Sequence, residues 1–86
     1  MAKEWIEGRL GYNQENDRYG LLVSDLWENS GFHCGEPLQI EIDGKWIDTT
    51  FEMDWSSGKG IWYLTGTGIK GTDIEYVWAR IFEDVR

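Results

Sequence analysis

The run Leu38-Gln39-Ile40-Glu41-Ile42-Asp43-Gly44-Lys45-Trp46-Ile47-Asp48-Thr49 decides the fold. Apolar and polar residues alternate on both sides of Asp43-Gly44. Asp-Gly is favoured at a two-residue type I′ hairpin turn because both turn positions need positive φ. That turn fixes the register: Ile42 faces Lys45, Ile40 faces Ile47 and Leu38 faces Thr49 on one side of the hairpin. Glu41 then faces Trp46, and Gln39 faces Asp48, on the other. Continued at period two, Ile47, Thr49, Phe51, Met53 and Trp55 turn inward, and Trp46, Asp48, Thr50, Glu52 and Asp54 turn outward.

Outward from this hairpin the chain keeps the same character. Ser56-Ser57-Gly58-Lys59-Gly60 is a loop by composition, and Ile61 to Thr65 returns as a strand. A four-residue loop would pair Trp55 with Trp62 and Met53 with Leu64, whereas a five-residue loop would turn Ile61 and Tyr63 inward; the aromatic pairing favours the former. Trp5 to Tyr12 and Arg18 to Ser24 read as two strands joined by the polar loop Asn13-Gln14-Glu15-Asn16-Asp17. Ile74 to Phe82 is an apolar, β-branched and aromatic run that reads as a last strand. Ser24 to Gly31 is expected to hold at most one helical turn, with Ser24 as its cap. The expectation is an all-β domain over residues 1–86: a six-stranded antiparallel meander that curls into a small barrel or sandwich to hide its edges.

A chain of 86 residues buries only about 60–65% of its unfolded surface, so its core needs large side chains. Six Trp, four Tyr and three Phe meet that need. Cys34 is the single cysteine, which rules out an intrachain disulfide and favours a reducing, cytoplasmic setting. The first residues carry no apolar core of signal-peptide length, and no apolar stretch is long enough to span a bilayer.

Sixteen acidic and eight basic residues give a net charge of −8, which repels nucleic-acid backbones and anionic lipid. Direct nucleic-acid binding and membrane binding are therefore not expected. The excess is concentrated between Tyr19 and Gly58, where Asp25, Glu28, Glu36, Glu41, Asp43, Asp48, Glu52 and Asp54 meet one base, Lys45.

No catalytic or metal site emerges. His33 and Cys34 are adjacent, and neighbouring side chains of an extended segment point to opposite faces, which argues against a nucleophile and base pair with Glu36. Glu41, Asp43, Asp48, Glu52 and Asp54 could supply two carboxylates for glycoside hydrolysis, but alternation already demands polar residues there. Gly66-Thr67-Gly68-Ile69-Lys70-Gly71-Thr72 lacks the spacing of a phosphate-binding loop, and the acidic residues lack the register of a calcium loop. No cofactor is expected. Trp46 is the one aromatic that the register sets on the polar face, and Trp27, beside Asp25 and Glu28, poses the same choice between exposure and cover.

Arg18-Tyr19-Gly20-Leu21, Gly31-Phe32-His33-Cys34-Gly35-Glu36, Ile42-Asp43-Gly44-Lys45-Trp46 and Trp62-Tyr63-Leu64, taken together, resemble a family of small uncharacterised domains from Firmicutes, often found near phage or plasmid genes. The similarity runs from about Leu10 to Ile81. It implies no activity. It does imply a mobile-element context, in which small acidic proteins act on other proteins, some as mimics of nucleic-acid charge.

The functional expectation is a non-enzymatic protein-interaction module. Glu41, Asp43, Trp46, Asp48, Glu52 and Asp54 would meet a basic protein surface, with a charge mimic as one form of that module. The alternative is a small-ligand domain that stacks a carbohydrate or nucleobase on exposed Trp. The sequence leaves the oligomeric state open.

Overall fold

The computed structural model describes residues 2–84. The hairpin read from the sequence is formed by β4 (Pro37–Ile42) and β5 (Lys45–Asp54). Asp43 and Gly44 make the turn at φ 51° and 79°, the left-handed pair that a type I′ turn requires. The register follows the expected one residue for residue, from Leu38 opposite Thr49 to Ile42 opposite Lys45.

Seven antiparallel strands form one curled sheet, a half-barrel, in the order β3-β2-β1-β7-β4-β5-β6. β1 (Lys3–Asn13) and β2 (Arg18–Val23) form the first hairpin. The expected helical turn after Ser24 is instead a tight turn and a further strand, β3 (Leu26–Asn29). Ser24 and Asp25 both take positive φ, 51° and 64°, so the chain reverses there and cannot enter a helix. This adds a seventh strand to the expected six. β6 is Ile61–Leu64, and a 3₁₀ turn, Gly71–Ile74, precedes β7 (Trp78–Asp84). β7 pairs with β1 over its whole length and with β4 at Gln39 and Ile40, and so joins two three-stranded units.

The concave side holds the core. Leu10, Leu21, Ile40, Phe51, Leu64 and Ile74 are fully buried there. Phe32 closes it: the loop from Gly31 to Glu36 is bound to Tyr19 and Phe51 by backbone hydrogen bonds, which stacks Phe32 on Phe51 at 4.8 Å. Trp62 packs edge-on against Phe51 and donates its indole N–H to the Asp17 carbonyl at 3.1 Å. The Tyr19 hydroxyl donates to the Gly71 carbonyl at 3.0 Å; burial, then Glu75, holds its ionisation above the ordinary range.

The hairpin beyond β5 corrects one expectation. Trp62 and Leu64 face inward as expected, but their partners are Met53 and Phe51, two residues earlier than the expected pairing. Asp54 accepts the Ser56 backbone N–H at 2.8 Å, and the Gly58 N–H closes a turn on the Trp55 carbonyl at 3.0 Å. This side-chain turn ends the strand at Asp54 and throws Trp55 out, 67% exposed instead of inward.

Candidate functional site

Alternation along the central hairpin builds the outer face. Glu41 lies opposite Trp46 and Gln39 opposite Asp48 across β4 and β5, while Glu52 and Asp54 continue the same side of β5 beside Tyr63 and Ile61 of β6. Asp43 stands at the hairpin tip. Glu41, Asp43, Asp48 and Asp54 are exposed and Glu52 is half-buried. Side chains two apart on a strand are separated by about 6.6 Å, so Asp48, Glu52 and Asp54 make an open row along β5. Asp54 is held below the ordinary carboxylate range, first by the Ser56 backbone N–H and then by the Ser56 side chain.

Trp46 is on this outer face, as the register requires, and it is half-buried. What covers it comes from the far end of the chain. The Arg80 guanidinium lies 4.2 Å from the Trp46 ring centre and 4.1 Å from that of Trp5, a cation held between two aromatic faces. Arg80 Nε donates to Gln39 Oε1 at 2.8 Å, and Gln39 Nε2 donates to Asp48 Oδ1 at 2.8 Å, so the clasp is tied to the acidic row. Trp5 also packs against Phe82 at 4.9 Å, and these two rings are 42% and 52% exposed.

Trp5, Phe82 and Arg80 are functional candidates that the sequence reading missed. Period-two alternation sets them on the outer side of β1 and β7, but only the pairing of β7 between β1 and β4 brings them beside Trp46. Trp27 also lies on the outer face, over Gly11 and Gly20 of the first hairpin. Four strands separate it from Trp46, so the two rings share no cleft.

Beyond Gln39 the strands β4 and β7 part, because Pro37 has no N–H to continue the ladder. The gap is a cleft of about 270 Å³ lined by Trp5, Pro37, Gln39, Asp48, Phe82 and Glu83. Burial, then the nearby carboxylates of Glu28, Glu36 and Asp84, pushes the Glu83 carboxyl above its ordinary range.

His33 and Cys34 are exposed on the loop that carries Phe32. Glu36 accepts from the His33 backbone N–H at 2.9 Å and from Asn29 Nδ2 at 3.3 Å, so its carboxylate holds the loop and does not orient the imidazole. The Gly66–Thr72 segment is a turn loop: Thr67 Oγ1 donates to the Leu64 carbonyl and accepts from the Ile69 N–H, which folds the loop back along β6. No helix among the described residues is long and apolar enough to cross a membrane.

A family model described as Domain of unknown function (DUF5348) matches residues 8–81. The chain belongs to this family. The DUF5348 match takes in the acidic row, Trp46 and Arg80, and stops short of Trp5 and Phe82 on either side. No curated protein and no solved structure matches the chain.

Proposed function

We infer that the domain is a non-enzymatic protein-interaction module, acting in the cytoplasm, whose outer β4–β5 face docks on a basic protein surface. The observation that carries this reading is the row of Glu41, Asp48, Glu52 and Asp54 on one side of two paired strands, with Asp43 at the tip. No acid of this row lies directly opposite another across the strands, yet the carboxylates gather on the side that the core does not need. Carboxylates at a rim speed encounter with a basic partner, whereas aromatic rings slow its release. Trp5 and Phe82 supply such rings beside the row. Trp46 contributes one edge, its face being taken by Arg80.

A row of carboxylates on a rigid hairpin also offers a nucleic-acid-binding protein the charge of a phosphate backbone. The mobile-element setting implied by the family resemblance favours this charge-mimic form. Comparative capture from a host lysate tests the reading, with wild type and the double variant Asp48→Lys, Glu52→Lys as baits. A protein of net positive charge held by the wild type and lost by the variant supports it; identical capture by both removes it.

A further inference from the structure

Tyr76 breaks two local rules at once. Glu75 at φ −59°, ψ 134° and Tyr76 at φ 68° form a type II turn closed by the Val77 N–H on the Ile74 carbonyl at 3.2 Å. The second central position of that turn calls for glycine. The Tyr76 N–H also donates to the Leu10 carbonyl at 2.7 Å, and the Leu10 N–H donates to the Val77 carbonyl at 2.9 Å. This is the G1 bulge, whose first residue is again glycine. Elsewhere this chain follows the rule. Its other positive-φ positions among the described residues are glycine, aspartate or serine, and Tyr76 alone is bulky.

Folding gains little in return, because the Tyr76 ring is 68% exposed. Strain kept without a packing reward points to a use for the ring itself. Tyr76 lines a cleft of about 400 Å³ across β2, β1 and β7, separate from the acidic row. Leu22 and Val23 give its lining an apolar part, and Glu7, Arg9, Asp25 and Trp78 a polar and aromatic one. The walls are set in advance. Trp78 donates its indole N–H to Glu7 at 3.2 Å and carries the Arg9 guanidinium over its ring at 5.2 Å, and Arg9 is tied to the Tyr76 carbonyl at 3.0 Å.

We propose that this cleft binds a neutral saccharide ring stacked on Tyr76. Its volume lies within the range of about 300–1,000 Å³ found for small-ligand sites. Two carboxylates, Glu7 and Asp25, disfavour an anionic ligand, and the one cation, Arg9, already serves the Tyr76 carbonyl. Aromatic rings in a partly apolar lining receive the C–H face of a sugar, and carboxylate oxygens of the same lining accept from its hydroxyls. Binding here is independent of the basic-partner reading.

The test is an NMR titration of the full chain with cellotetraose, chitotetraose and maltotetraose, following the Trp78 indole N–H. One of the three should move that signal saturably. Tyr76→Asn should weaken binding at least about tenfold, and Tyr76→Phe should keep it within about twofold. Asparagine tolerates the left-handed conformation, so Tyr76→Asn should melt at or above the wild-type temperature. The proposal is overturned if none of the three sugars moves the Trp78 signal, if Tyr76→Asn binds as well as wild type, or if Tyr76→Asn melts below wild type, since the ring would then be structural.

Discussion

Removing the cation from between its two rings should show how much the outer face depends on residues distant in sequence. In Arg80→Ala, two cation–π contacts at 4.1 and 4.2 Å disappear together with the 2.8 Å bond to Gln39. Each ring contact contributes about 0.5–1 kcal/mol at a solvent-facing site, and a hydrogen bond from a charged donor about 1.5 kcal/mol or more. The loss is therefore about 2.5–3.5 kcal/mol. A chain of this length has roughly 4–13 kcal/mol in total, so the substitution removes a large share. Urea unfolding followed by tryptophan fluorescence measures it directly, as a lower midpoint at unchanged slope. Arg80→Lys separates the contributions: it keeps the charge but loses the planar stack and the Nε donor, and should cost about half as much. A loss under about 0.5 kcal/mol for Arg80→Ala, or an Arg80→Lys variant as stable as wild type, would refute the clasp as a structural element.

Gly44→Val should destabilise by about 1–3 kcal/mol, read as a drop in melting temperature, because a β-branched residue resists the φ of 79°. A side chain there meets nothing within 4 Å, so the loss would be conformational strain and not a clash. Glu83→Gln should stabilise the fold at neutral pH. A carboxyl raised in the folded state binds its proton more tightly folded than unfolded, so its penalty is fully present above the folded value and absent well below the ordinary 4.5. The gain in melting temperature should therefore fade as pH is lowered through that window, and a gain that is the same at pH 3 and pH 7 would contradict the cause.

The central hairpin was legible because Asp43-Gly44 fixes a register that alternation then propagates through Asp54. Glu41, Trp46, Asp48, Glu52 and Asp54 share one side of the paired strands, and Asp43 lies in the turn. Where the reading failed, the deciding interaction was a single local bond or a distant pairing. Asp54 could continue the strand or turn on Ser56, and its side chain chose the turn, which freed Trp55. Ser24-Asp25 carries no glycine, so its left-handed turn was hidden and β3 with it. The clasp of Trp5, Arg80 and Trp46 depends on β7 entering between β1 and β4, a choice that no local pattern encodes. Tyr76 was hidden for a related reason: its neighbours read as strand, and the turn and bulge give no glycine signal.

The acidic outer face is the surface proposed to meet a basic protein. Its most direct test is the association rate with the captured partner, measured across ionic strengths for wild type and for Asp48→Lys with Glu52→Lys. Steering by exposed charge predicts a rate that falls steeply with salt for the wild type and a variant rate lower by about tenfold at low salt, the two converging at high salt. Equal rates for the two proteins at low salt would contradict it.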